Sequence, residues 1–159
     1  MYEIKIGEGV GDVKLGMHKE QVRRLFDDLQ EYKEVPYGYP YEITYDSNDS
    51  FQFSYDKSDC VDFIVCLDVQ KLTMDGESFA ENNSVWGLYQ WVHKKDPEVN
   101  VQSDGFYSDA LGFGVTLGEE EQLGFCGGER LFDIIDSVQI TVKDFWKNEP
   151  HTNNEESSL

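Results

Sequence analysis

The spacing of apolar positions changes repeatedly along the chain, and each change marks a new element. Residues 2–6 alternate and predict a short strand, closed by the glycine-punctuated turn Gly7-Glu8-Gly9-Val10-Gly11. From His18 onward the period is helical: Val22, Leu25, Phe26 and Leu29 recur at the three and four spacing of one helix face. Lys19, Glu20, Arg23, Arg24, Asp27 and Asp28 occupy the opposite face. The pattern predicts a helix over 18–29, with its polar face solvated rather than forming a site.

Beyond that helix the period falls to two. Residues 42–45, 51–55 and 61–69 read as three strands of an antiparallel meander, separated by the turn-rich runs Asp46-Ser47-Asn48-Asp49-Ser50 and Asp56-Lys57-Ser58-Asp59. In the third strand alternation assigns Val61, Phe63, Val65, Leu67 and Val69 to the core, leaving Asp62, Ile64, Cys66 and Asp68 on the other face. Residues 70–74 continue as a further strand, closed at Asp75-Gly76.

A second helix is signalled by Ser84 at its N-cap, by Val85, Leu88, Tyr89 and Val92 on one side, by Lys94 and Lys95 in the last turn, and by Pro97 beyond. Strand-like segments follow at 105–107, 112–117, 122–125 and 137–142, with Val138, Ile140 and Val142 facing one way. The order strand, helix, meander, helix, meander predicts an α+β fold, an antiparallel sheet packed against two main helices. It also hints at two degenerate helix-plus-meander units. Residues 1–148 are expected to form one globular domain, and 149–159, which lack an apolar period, a disordered polar tail.

Composition supports a folded chain, because 39% hydrophobic and 14% aromatic residues supply a core. Charge narrows the partners. The 159 residues carry 32 Asp and Glu against 13 Lys and Arg, a formal net charge of −19. Residues 35–70 hold seven acids against Lys57 alone, and residues 102–142 hold eight against Arg130 alone. Such a field repels nucleic acid and anionic membranes, and it speeds encounter with basic proteins. The opening residues lack the apolar run of a secretory signal, and no stretch has the length of a membrane span, so a cytoplasmic protein is expected. Three cysteines, an odd number, fit a reducing compartment; Cys60 and Cys66 read as small buried hydrophobes with inert thiols.

The chemical motifs fall short of their patterns. Gly9-Val10-Gly11 follows a strand but does not open onto a helix, as a phosphate-binding loop must, because extended residues intervene. The run from Asp46 resembles a calcium loop, yet Phe51 stands where glycine is required and Lys57 where the bidentate glutamate belongs. Cys126, in Gly124-Phe125-Cys126-Gly127-Gly128, has amide donors nearby and His93 or His18 as candidate bases, but surrounding acid opposes thiolate formation. No catalytic residue, metal ligand or cofactor is therefore assigned.

The least ordinary segment is Tyr37-Gly38-Tyr39-Pro40-Tyr41 at the lip of the first acidic meander. Tyrosine offers large contact area at low entropy cost and is enriched at binding surfaces. Trp86, Trp91 and Trp146 read instead as core or core-edge residues.

The run Gly9-Val10-Gly11-Asp12-Val13-Lys14-Leu15-Gly16-Met17, followed by a polar helix start and Val22, resembles the opening of a group of small bacterial proteins, largely uncharacterised. Their shape is Gly-Ile-Gly-x-Ile-x-Leu-Gly-Met before a helix. Val61-Asp62-Phe63-Ile64, the turn Asp75-Gly76-Glu77-Ser78-Phe79 and Leu111-Gly112-Phe113-Gly114-Val115 are similar to later pieces of the group. Some of its members resemble immunity partners of bacterial toxins. The resemblance implies a binding role and carries no catalytic residues. Together with the charge, it leads to an expectation of a non-enzymatic inhibitor of a basic, nuclease-type toxin domain. Tyr37, Tyr39 and Tyr41 would anchor the partner, and Asp46, Asp49, Glu119, Glu120 and Glu121 would supply the field. The alternatives are a small-ligand or carbohydrate binder using the same loop, a thiol hydrolase using Cys126, and a plain assembly module.

Overall fold

In chain order the elements are β1 (Tyr2–Lys5), β2 (Gly9–Val10), β3 (Val13–Lys14), α1 (Lys19–Leu25), β4 (Gln30–Glu34), β5 (Ile43–Ser47), β6 (Phe51–Tyr55) and β7 (Val61–Cys66). A 3-10 turn (Val69–Lys71) then leads to β8 (Leu72–Met74), β9 (Glu77–Ser78), α2 (Val85–Lys95), β10 (Asn100–Gln102), β11 (Gly105–Ser108), β12 (Phe113–Leu117) and β13 (Ile135–Thr141). This computed structural model describes residues 1–79, 84–118 and 135–148. The expected strand at 122–125 and the tail from 149 lie outside them.

The fold is α+β. Eight antiparallel strands form one sheet in the order β10-β11-β12-β13-β7-β6-β5-β4. Each helix precedes one four-stranded meander, and the two meanders join edge to edge where β7 pairs with β13. A smaller sheet, β3-β2-β1-β8-β9, is antiparallel except for the parallel pair β1 and β8.

One face of the large sheet is the core face, and its side chains line up in rows across the strands. Phe51, Cys66, Val138, Val115 and Phe106 are successive cross-strand partners, as are Phe53, Ile64, Ile140 and Phe113, and all are buried. They belong to one core cluster with Val22 of α1, Val85, Leu88 and Val92 of α2, and Ile4, Val10 and Leu72 of the small sheet. Burying each such side chain contributes roughly 1.5–3 kcal/mol, so these rows dominate the fold's stability.

Several expectations need correction. The first helix ends at Leu25, because Phe26 is already extended at φ −135° and ψ 138°. Phe26 and Leu29 still reach the core from non-helical backbone, Phe26 with its ring 5.5 Å from Phe53. The next residues form β4, whose sequence Gln-Glu-Tyr-Lys-Glu is exposed throughout and so carried no apolar signal. The short β10 was missed for the same reason.

Val61 and Val69 are core as alternation predicts, but between them β7 presents the opposite face. Tyr55 pairs with Val61 while Ser54 pairs with Phe63, so Asp62 is an extra residue and the register slips. A bulge of this kind reverses every later side chain. Ile64 and Cys66 become core, and Phe63 and Val65 turn to the other face. Leu67, also assigned to the core, is 41% exposed.

The second helix is capped as expected, with the Ser84 hydroxyl accepting from the Gly87 amide at 3.0 Å. The N-terminal glycines serve hairpins rather than a phosphate loop. A Cβ on Gly9 would lie 2.1 Å from the Val13 carbonyl oxygen, so only glycine allows β2 and β3 to approach as they do.

Candidate binding face

The second face of the large sheet is open, and its composition is unlike that of the chain as a whole. One row of cross-strand partners crosses all eight strands: Gln30, Ser47, Gln52, Val65, Gln139, Gly114, Tyr107 and Asn100. None carries a charge, in a protein of net charge −19. Amides, hydroxyls and aromatic rings dominate its surroundings. Gln139 donates from Nε2 to Thr116 Oγ1 at 3.0 Å and to Ser137 Oγ at 2.8 Å. Tyr32 and Tyr45 stack at 5.3 Å toward the β4 edge.

After β13 the chain turns back over this face through residues 143–148. Two bonds hold it there, from the Asp144 amide to the Asp109 carbonyl at 2.9 Å and from the Lys147 amide to Asp109 Oδ1 at 3.0 Å. The Phe145 ring meets Phe63 edge-on at 4.6 Å, and Trp146 lies 4.5 Å from Tyr107, above Gly114. A Cβ at Gly114 would come within 3.2 Å of the indole, which is why the smallest residue sits beneath it.

This aromatic pair divides the face into two grooves. The first, about 530 Å³, is walled by Tyr107, Thr116, Gln139, Gly105, Gln102 and Trp146. The second, about 820 Å³, runs from Phe63 and Phe145 to Tyr39 and Tyr41 and has Asp62 in its lining. Its carboxylates are Glu34, Glu42, Asp56, Asp59 and Asp62, against Lys57 and Lys143. Lys57 extends its ammonium over the Tyr41 ring, 5.1 Å from the centroid. Burial pushes the Asp62 carboxyl up to about 7, with Asp56 adding to the rise and a backbone hydrogen bond opposing it.

The predicted site residues scatter against this geometry. Tyr39 and Tyr41 line the second groove and meet edge-to-face at 6.1 Å. Tyr37 stands clear at 94% exposure. Asp49 is exposed on the β5–β6 turn. Asp46 is not available to a partner: it lies within β5, faces the core side and is 1% exposed. Arg23 donates to it from Nε at 2.8 Å and from Nη2 at 3.1 Å, and the Tyr55 hydroxyl donates at 2.7 Å. Arg23 also reaches Glu31 at 2.8 Å. Asp46 thus ties α1 to the sheet; the burial of Tyr55 itself, and then its hydrogen bond to the Asp46 carboxylate and that group's charge, push the Tyr55 hydroxyl well above the usual range. Glu119, Glu120, Glu121 and Cys126 lie outside the described residues.

The tryptophans also depart from expectation. Trp86 and Trp91 are exposed on α2, and Trp146 covers the open face. Phe63, Val65, Phe145 and Trp146, the apolar part of the grooves, were not recognised as a surface. The only local signal was the half-polar Asp62-Phe63-Ile64 sequence, which cannot reveal a bulge. Among the described residues no group of three or more His, Cys, Asp or Glu could hold a metal ion, and no helix is long and apolar enough to cross a membrane. No protein-family model, curated protein or solved structure matches this chain.

Proposed function

We propose that this protein is a non-enzymatic, cytoplasmic binding protein that neutralises a basic partner, of the class of nuclease-type toxin domains, in the manner of an immunity protein. The observation that carries the reading is an open sheet face whose central row is uncharged, bearing aromatic rings and rimmed by carboxylates, on a chain of net charge −19. A nuclease must be positively charged where it grips phosphate, so an acidic partner can occupy that surface and associate quickly. Interfaces have such a composition at their centre, with charge depleted in the middle and retained at the rim. Tyr37, Tyr39 and Tyr41 act as anchors at the lip, and Asp49 with Glu119, Glu120 and Glu121 contributes field; Asp46 is withdrawn from that set. The resemblance of residues 9–17 to small bacterial proteins, some like immunity partners, points the same way.

The test is capture from a lysate of the source organism on immobilised protein at low salt, with elution by a salt gradient. A basic protein released at moderate salt, whose nucleic-acid cleavage stops when this protein is added back, is the expected result. Capture of a protein whose activity is unaffected, or no specific capture, overturns the reading. The groove volumes favour one second reading, a small-ligand or carbohydrate site, because pockets for such ligands span roughly 300–1,000 Å³. Ligand binding there would be nearly insensitive to salt.

A further inference from the structure

Asp62 is an unusual carboxylate in this chain. It lies half-buried in the second groove, beside Phe63 and within reach of solvent, and among the described residues no lysine or arginine forms an ion pair with it. Asp46 and Asp59, by contrast, each hold a cation, Arg23 at 2.8 Å and Lys19 at 3.4 Å. A carboxylate partly removed from water without a counter-charge leaves a favourable position for a cation unfilled. The walls are suited to the same guest, because Tyr39, Tyr41, Phe63 and Phe145 present rings on which an alkyl stem or a guanidinium can lie. The groove already takes one ammonium from within the molecule, that of Lys57 over Tyr41.

We propose that the second groove receives an arginine or lysine side chain from a loop of the basic partner, which pairs with Asp62 and takes over the Tyr41 face from Lys57. The proposal deepens the binding reading above and rests on it. Charge complementarity commits the groove to this occupant, since five carboxylates line it, one of them paired with Lys19, against two ammonium groups. The other charged groups lining the groove are Asp56, Lys57 and Asp59 on the β6–β7 turn, Lys143 after β13, and Glu34 and Glu42 at the lip, of which Asp56 acts on the Asp62 carboxyl. Of these only the lysines oppose a cation, and both are exposed, Lys57 resting over the Tyr41 ring that the incoming cation would take. The cation favours the ionised form of Asp62, so its entry expels a proton near neutral pH. Affinity therefore rises with pH through about 7.

The experiment titrates the full chain with the peptide acetyl-Gly-Arg-Gly-amide and follows backbone amide shifts, with the Gln analogue as control. The expected result is a set of shifts centred on Asp62, Phe63 and Tyr41, and binding about tenfold weaker at pH 5.5 than at pH 8. In Asp62→Asn that pH dependence vanishes and affinity falls to the low-pH level, while Lys57→Gln binds more tightly. Shifts spread over the whole acidic surface, or an Asp62→Asn affinity equal to the parent's, overturn the proposal. If Asp62→Asn fails to fold, the Lys57→Gln comparison decides: no gain in affinity means that groove is not the cation's seat. A basic partner captured equally well by Asp62→Asn would remove this inference and leave the binding reading standing. Localised peptide binding with no partner from the lysate would support the groove as a seat for a cationic side chain and overturn the reading of a toxin partner.

Discussion

Asp46 and Asp62 sit two strands apart on one sheet and have opposite fates. Asp46 faces the core, is sealed from solvent and receives hydrogen bonds from Arg23 and Tyr55. Asp62 sits at a bulge, opens into a groove and has no ion-pair partner among the described residues. The contrast separates the two faces of the molecule. On the closed face the one buried charge among the described residues, Asp46, is matched within the chain, so polarity there serves cohesion. On the open face the chain leaves rings, amides and several carboxylates to solvent, the half-buried Asp62 among them without an ion pair among the described residues.

The largest break in this comparison should come from Arg23→Ala. It leaves the buried Asp46 carboxylate without its cation, which costs about 3–5 kcal/mol, read as a drop in the urea midpoint. A loss under about 1 kcal/mol would mean that the pair contributes little to holding α1 on the sheet.

Neighbouring residues of β7 sharpen the contrast next. Ile64→Ala should destabilise by about 2–5 kcal/mol through a core cavity, whereas Phe63→Ala, one residue away on the open face, should cost markedly less and weaken partner binding instead. Equal costs for the two would contradict the bulge that turns them apart.

The third effect is on pH dependence. Because the folded Asp62 carboxyl is raised to about 7 from an ordinary 3.8, the fold favours its protonated form. That contribution is complete below pH 4 and is lost as pH climbs toward and through about 7. Asp62→Asn should flatten this slope and be more stable than the parent above pH 7 by on the order of 2 kcal/mol, a value reduced for partial exposure. Parallel stability profiles for the two proteins from pH 4 to 8 would show that the carboxyl is better solvated than its position implies.

The smallest effect on stability should come from changing Tyr37, Tyr39 and Tyr41 together to alanine, within about 1 kcal/mol by thermal melting, since these rings lie at the lip and not in the core. Partner affinity should nonetheless fall at least tenfold if the lip anchors it. Unchanged affinity would confine recognition to the inner part of the open face.

Much of the scaffold was legible without coordinates. Residues 51–55 and 84–95 stand out because their apolar periods, caps and turns all agree. The shared face of Val138 and Ile140 follows from period-two alternation, whereas alternation puts Ile64, which joins Ile140 to Phe53 in one buried row, on the opposite face. The failures have physical causes. Strand β4 has no buried side chain, so nothing in its pattern marks it; its place is set by pairing with β5. Helix α1 ends at Leu25, and Phe26 packs its ring on Phe51 and Phe53 from extended backbone, a tertiary contact that the helical period does not reveal. Asp46 was read as surface because an acid in a turn-like run gives no hint that an arginine twenty-three residues earlier will meet it.

By itself the sequence determined the α+β class, the order of helices and meanders, and the strong acidity that repels phosphate. These depend on local period and summed charge, which neighbours in space do not alter. Only the tertiary structure decided which face of β7 is buried, that Asp46 is sealed and Asp62 open, and that Phe145 and Trp146 return across the sheet to form two grooves. The reason is one of range. A single unpaired residue at position 62 reverses the side chains of β7 after it, and whether a charge is matched depends on partners far away in the chain.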